Sequence, residues 1–458
     1  MMNPYSADHL WTQSGFVPDA RIAVSGTPQV NPSAAASGAT TRLGRFVLPG
    51  LCNAHSHAFQ RAMAGLAERQ THADDSFWTW RETMYRFAGC IGPDELRAIA
   101  AQLYVEMLES GYTSVCEFHY LHHQPNGVPY ADPAEMSRAL IAAARDTGIR
   151  MTLLPVLYMT GGFDGSALSA RQLRFGHSAD TYLRLLELLR GEENDALSVG
   201  MALHSLRAVA EAPMRAVLDA ERGHARAIHV HIAEQMPEVD ECLNLRGQRP
   251  VAWLLDHADV DRRWTLVHAT HIDDAEVAGV ARSGATVAVC PTTEANLGDG
   301  LFPLKAFLDA GGSMAIGSDS HVSISPVEEL RWLEYGQRLR AQRRNIAVGA
   351  TQASVGERLF AEAWRGGLRA AGRAVAATDT TLDHQCWSGL IVLDDQHPLL
   401  AARGAEHLLD TWLFSGNVPL VRDVMVAGNW LVRDGKHRER ERIAADYRRA
   451  MHKLAAKM

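Results

Sequence analysis

His55 and His57 stand two residues apart in LPGLCNAHSH. On a β-strand such residues point the same way, so both imidazoles can reach one ion at about 2.0–2.1 Å. An HxH pair alone also fits two satisfied or surface histidines. Its place at the end of an apolar run, before AFQRAM, favours metal binding. His231, in AIHVHIAE, adds a third nitrogen, and Asp319, in SMAIGSDS, adds an oxygen. Three histidines and an aspartate around an open position suit one divalent ion, Zn2+ first, with Fe2+ or Mn2+ as alternatives. Glu234 follows His231 by three. A carboxylate there lies just beyond the metal, within reach of a bound water or a substrate nitrogen. The plainer alternative is an acid stabilised by a helix N-terminus. His268, in VHATH, is a further ligand, a group behind the ligands, or a core histidine.

Something must bring these residues together. Short β-branched apolar runs alternate with helix-length amphipathic stretches from Leu48 to about Arg373. The runs are RFVLPGL, TSVCEFHY, MTLLPVLY, SVGMALHS, AIHVHIAE, WTLVHAT, ATVAVCPTT and SMAIGSDS. Between them lie helical segments such as GPDELRAIAAQLYVEMLESG and DPAEMSRALIAAARDTG, with Gly148 and Gly284 placed to close helices. This alternation predicts an α/β protein with a parallel sheet, and eight strands suit a closed (β/α)8 barrel. An open doubly wound sheet would usually carry a glycine-rich phosphate loop after the first strand, and none is seen.

Barrel chemistry sits at the C-terminal ends of the strands. There the sequence offers Glu117, His119 and Tyr120; His204 and Arg207; His229, His231 and Glu234; His268 and His271; and Asp319, Ser320 and His321. Packing alone does not call for that set. His122, His123, His177, His257 and His384 read as structural or exposed. After Thr378 strands return in CWSGLIVLD, VRDVMVAG and NWLVRDG, and RIAVSG is a strand candidate near the start. The predicted organisation is a small β-sandwich-like domain from residues 1–48 and 378–440, the barrel over 49–377, and a solvated C-terminal helix over 441–458.

Composition narrows the classes. The 458 residues are 47% hydrophobic and 21% charged, which excludes wholesale disorder and a disulfide miniprotein. Forty-five basic against 53 acidic side chains give a net charge of −8, a poor match to nucleic acid or an anionic membrane. No secretory leader and no run of about 18 apolar residues is seen. The six cysteines are scattered, with no CxxC pair, as in a reducing cytosol. The expectation is a cytoplasmic protein.

LPGLCNAHSH, HIAE, VHATH and GSDS together resemble the amidohydrolase superfamily, in its mononuclear-metal deaminase branch. The strand-four run SVGMALHS offers His204 and no lysine for a carbamylated bridge, which disfavours the binuclear hydrolases. Longer strings, among them AHSHAFQRAMAGLAE, DSFWTWRETMYR, EFHYLHH, TEANLGDG and GSDSHVSISPVEELRWLEYGQRLR, resemble the branch members that act on N-formimino-L-glutamate. One departure is HQCWSGLIVLD, where that family commonly has a GxxADLLVLD-like strand. The resemblance implies hydrolysis of N-formimino-L-glutamate to N-formyl-L-glutamate and ammonia in histidine degradation, by a homodimer. It implies His55, His57, His231 and Asp319 as ligands of one divalent metal, and Glu234, His268 and Asp319 as catalytic groups. It implies Gln60, Arg81, Tyr120, His204, Arg207 and Ser320 as the set binding a small dicarboxylate. Arg81 and Arg207 suit its two carboxylates, because arginine binds a carboxylate bidentately. A competing expectation is a deaminase or chlorohydrolase of a flat heterocycle such as guanine, cytosine or S-adenosylhomocysteine. That pocket needs stacking aromatics and few cations, and the strand-end set shows no stacking strip. A barrel kept only as a scaffold would be expected to have lost ligands.

Overall fold

The computed structural model describes residues 3–12, 14–25, 27–31, 40–69, 77–373 and 389–458. Eight parallel strands carry the middle of the chain: β1 (Leu51–Ser56), β2 (Tyr112–His119), β3 (Arg150–Leu157), β4 (Met201–Ser205), β5 (Ile228–Ile232), β6 (Trp264–His268), β7 (Thr286–Val289) and β8 (Ser313–Ile316). Each pairs with the next in chain order. They are buried almost throughout, as strands covered by helices must be. β8 meets β1 through one bridge. His57 N–H donates to Asp319 O at 3.2 Å, and Asp319 N–H donates to His55 O at 3.0 Å. Gly317 permits this approach, since a Cβ there would lie 2.7 Å from His55 Cβ. The (β/α)8 expectation holds, and the seam of the barrel runs through the candidate ligands.

The helices between strands follow local signals. Gly148 and Gly284 end theirs in the left-handed conformation, with φ of 82° and 77°. Asp273 opens Asp274–Ser283 with a reciprocal cap: its carboxylate accepts Glu276 N–H at 2.9 Å, and Glu276 accepts Asp273 N–H at 3.0 Å.

The run RFVLPGL does not form one strand. Thr41–Pro49 belongs to a second sheet, and only Leu51–Ser56 enters the barrel. The break falls at Gly50, where a Cβ would meet the Thr113 side chain at 2.2 Å. Apolar residues continue across that break, so periodicity could not reveal it.

The second sheet is separate from the barrel and built from both chain ends. Thr41–Pro49 lies parallel to Asn3–Thr12 on one side and antiparallel to Gly389–Leu393 on the other. Val421–Val426, Asn429–Arg433 and Lys436–His437 continue it outward. Of CWSGLIVLD, Cys386, Trp387 and Ser388 lie outside the described residues. Trp11 fastens this sheet to helix Val355–Ala370, edge-on to Phe360 at 5.0 Å and Trp364 at 5.4 Å. The C-terminal helix Arg440–Ala455 is less solvated than its charge suggests. It buries Ile443, Ala450 and Leu454, and Lys453 pairs with Glu95 on helix Pro93–Ser110. No described helix is long and apolar enough to cross a membrane. The described cysteines are unpaired; Cys386 lies outside the described residues.

Candidate metal centre and active site

β1 and the turn after β8 bring His55, His57 and Asp319 together, and β5 brings His231, with His268 of β6, against His55. His55 Nε2 lies 3.2 Å from His57 Nε2 and 2.9 Å from His231 Nε2. Asp319 Oδ1 lies 3.4 Å from His55 Nε2 and 3.2 Å from His57 Nε2. Two ligands of a tetrahedral ion at about 2.0–2.1 Å stand about 3.3 Å apart. Burial holds all three imidazoles below the usual histidine range, so each is neutral with a lone pair to give. His57 Nδ1 donates to Phe118 O at 2.9 Å, which turns the lone pair of Nε2 inward. The Phe118 ring packs beneath, 4.3 Å from His231 and 5.1 Å from His55 between centroids. This donor set fits a divalent metal ion. His229, two residues earlier on β5, spends its Nε2 on Ala370 O at 2.8 Å.

Beside this centre lie two proton-handling groups. Glu234 Oε1 is 3.7 Å from His268 Nε2, and His268 Nε2 is 3.9 Å from Asp319 Oδ2. Burial pushes the Glu234 carboxyl up to about 7, partly offset by the charge of His268. Burial works against charge on His268, but Glu234, Glu294 and Asp319 together carry it up to about 10. Strand-end reasoning missed the group behind His268. Glu294 Oε1 lies 3.2 Å from His268 Nδ1 and accepts Cys290 N–H at 2.8 Å. Asp299 was also missed. It is buried close to Glu234 and His268, and burial pushes its carboxyl up to about 9. Both stand in the string TEANLGDG after β7, where two acids in an otherwise apolar context were the available signal. Glu238 accepts the N–H groups of Ala233 and Glu234, each at 3.1 Å, and so fixes the turn that presents Glu234. Non-glycine residues with left-handed backbone gather here: Ala233, His268, Ala269, Asp319 and His321 have φ between 45° and 68°. Such strain concentrates where a fold must aim side chains.

A cavity opens above the centre. His57, His231, His268 and Asp319 reach its floor, and Gln60, Arg81, Tyr120, His204, Arg207 and Glu234 line it. Gln60 Nε2 donates to Tyr120 OH at 2.9 Å. His204 packs on Tyr158 at 4.4 Å and on His231 at 5.1 Å between centroids. Arg81 comes from helix Phe77–Ala88, and Arg207 from the turn after β4. Burial lowers the Arg81 pKa, and the Arg207 charge adds to that. Ser320 is not brought into the cavity; its hydroxyl sits 2.9 Å from Thr293 Oγ1. The cavity also carries a wall of aromatic rings, Trp80, Tyr85, Tyr158 and Phe175, none of them in the strand-end set. Trp80 and Tyr85 come from helix Phe77–Ala88 and Phe175 from the segment after β3, which the strand-end rule does not reach; Tyr158 directly follows β3, where that rule could have found it.

Comparison with known proteins agrees with this geometry. The amidohydrolase family pattern matches residues 46–353. The chain is 48% identical to a formimidoylglutamate deiminase of Pseudomonas aeruginosa over 458 residues, covering 99% of this chain and 100% of the relative. It is 41% identical to an amidohydrolase of Brucella melitensis of known crystal structure, with a TM-score of 0.91 over 99% of this chain and 100% of that one. A zinc-bound adenosine deaminase of Xanthomonas campestris shares the fold, with a TM-score of 0.80 at 22% identity over 99% and 98% of the two chains. A barrel whose seam is tied at a His, His, His, Asp centre, in a sequence matched from before β1 to beyond β8, leaves one assignment: this chain belongs to the amidohydrolase family.

Proposed function

We propose that this chain hydrolyses N-formimino-L-glutamate to N-formyl-L-glutamate and ammonia, in histidine degradation. The observation that carries the reading is two guanidiniums, Arg81 and Arg207, in one cavity whose floor is the His and Asp centre. A substrate with an amidine-like head and two carboxylates matches that arrangement. The 48% identity to a formimidoylglutamate deiminase over nearly the whole chain supports it.

His55, His57, His231 and Asp319 would hold a divalent metal, Zn2+ in this proposal, which would supply the acidity that makes water a nucleophile near neutral pH. Asp319 also accepts a proton from the attacking water, and His268 hydrogen-bonds that water. Glu234 protonates the imino nitrogen and then the departing nitrogen. Water adds its oxygen to the formimino carbon, and both its protons end on the nitrogen that leaves as ammonia. A carboxyl poised at about 7 can give and regain a proton at neutral pH, which suits this double transfer. Arg81 and Arg207 take the carboxylates, with Gln60, Tyr120 and His204 as neutral partners.

A homodimer in the cytoplasm completes the proposal. The aromatic wall favours a heterocycle deaminase as the second reading, and one experiment separates the two. Ammonia release is measured on formiminoglutamate, guanine, cytosine and S-adenosylhomocysteine, together with the metal content of the purified protein. Turnover of formiminoglutamate alone, with bound zinc, is expected. Turnover of a neutral heterocycle in its place overturns the reading.

A further inference from the structure

Ser56 stands between the two candidate ligands of β1, and strand alternation turns it away from them. Its hydroxyl donates to Glu117 Oε2 at 2.6 Å. Glu117 lies beside it on β2 and is fully buried between the barrel and helix Pro93–Ser110. It also accepts Ala58 N–H at 2.7 Å and Tyr104 O–H at 3.1 Å. The same Ser56 oxygen lies 3.2 Å from His321 Nε2. On the far side of that ring, Nδ1 lies 2.9 Å from Ser318 Oγ, which accepts from Asn53 Nδ2 at 2.6 Å.

With Glu117 ionised, one set of directions satisfies every member. Asn53 donates to Ser318, Ser318 to His321 Nδ1, His321 Nε2–H to Ser56, and Ser56 to Glu117. The chain crosses the barrel seam, where the backbone supplies just the two bonds between β1 and the Asp319 turn. Ser318 and His321 bracket Asp319, and Ser56 sits between His55 and His57. Asp319 and His321 hold left-handed backbone, with φ of 45° and 62°, which needs outside support. An apolar pair would fill this buried layer without the desolvation cost of a carboxylate.

We infer that Glu117 is a positioning residue: it terminates a one-way hydrogen-bond chain that locks the β1 ligand pair to the Asp319 turn and so sets the affinity of the metal centre. The inference rests on the reading of His55, His57, His231 and Asp319 as ligands.

The test uses full-length protein and no substrate, so its failure is distinct from failure of the proposed activity. Zn2+ affinity is measured by chelator competition for wild type, Glu117→Gln and Ser56→Ala, with the visible absorption of the Co2+-loaded proteins and the Tm of the metal-free forms. Glu117→Gln leaves one accepting oxygen for three donors, so its N–H2 must face either the two hydroxyls or the Ala58 N–H, and the end of the chain loses a partner either way. It should weaken Zn2+ binding by about 10- to 100-fold and alter the Co2+ bands. Ser56→Ala should shift both readouts the same way. Unchanged affinity and Co2+ bands with only a lower metal-free Tm would show a merely structural carboxylate and overturn the inference. If Glu117→Gln does not fold, Ser56→Ala decides: wild-type affinity and bands there overturn it equally.

Discussion

Glu234 and His231 stand three residues apart and should fail differently. His231 points its Nε2 at His55 Nε2, whereas Glu234 touches His268 instead. Glu234→Gln should therefore keep its metal while losing turnover by about 10²–10⁴, the usual scale for a general acid or base. His231→Ala should lose the metal itself. Metal analysis beside an activity assay reads both, and a metal-free or fully active Glu234→Gln protein contradicts the assignment. A second prediction concerns protons. Glu234, Asp299 and His268 are all raised, to about 7, 9 and 10, from ordinary values of 4.5, 3.8 and 6.5. Each contributes stability that is full below its unfolded value and lost as pH rises through its folded one. The metal-free protein should lose stability as pH rises from about 4 to 10, and Asp299→Asn should lose less of it between about 4 and 9. Denaturant unfolding at several pH values checks this; equal slopes in both proteins refute it. That His55, His57, His231 and Asp319 could lie close together was legible because donor side chains at strand ends can be read by type. Glu294 and Asp299 were not, because an acid's role behind a histidine depends on a contact across two loops.

Elements, not single residues, put the two arginines in one cavity. Arg207 follows β4 directly, so the strand-end rule finds it. Arg81 lies on helix Phe77–Ala88, inserted between β1 and β2, and the same rule says nothing of where that helix docks. The helix also delivers Trp80 and Tyr85, so that part of the aromatic wall was invisible in the sequence, whereas Tyr158 directly follows β3. Strand one shows the opposite failure. Its apolar run was found, but the division at Gly50 depends on Thr113 of a neighbouring strand. If both arginines hold carboxylates, removing one leaves a charge desolvated and unpaired, at about 2–5 kcal/mol. Arg207→Met should lower kcat/KM for formiminoglutamate by roughly 30- to 3000-fold on that scale and leave metal content unchanged. It should barely affect a formimino compound lacking the matching carboxylate. Unchanged kcat/KM for formiminoglutamate removes Arg207 from the site.

At the scale of the whole molecule, one outer helix carries a row of exposed apolar side chains. Helix Pro326–Ala341 follows β8, and its neighbours take Leu330, Leu333 and Glu334 inward. On the other side Trp332, Tyr335 and Leu339 are 46%, 37% and 75% exposed. Spaced by three and four, they form a stripe along one helical face. Leu301, also exposed, packs beside Gly336 and widens it, and Tyr335 stacks on Phe414 at 5.8 Å. Single exposed apolar residues are ordinary, but a contiguous row with an exposed tryptophan marks a surface that is covered in use. A second copy covers it most simply, because a two-fold axis pairs a patch with itself. The proposed homodimer should therefore pack through this helix, none of whose residues lines the cavity. Light scattering on the purified protein at micromolar concentration should give the mass of two chains. Leu339→Glu places two buried, like charges close to the axis and should give the mass of one. Because the cavity is formed within a single chain, the monomeric variant should still bind metal. A wild-type protein that is monomeric at that concentration, or a Leu339→Glu protein that remains dimeric, removes the stripe as the interface.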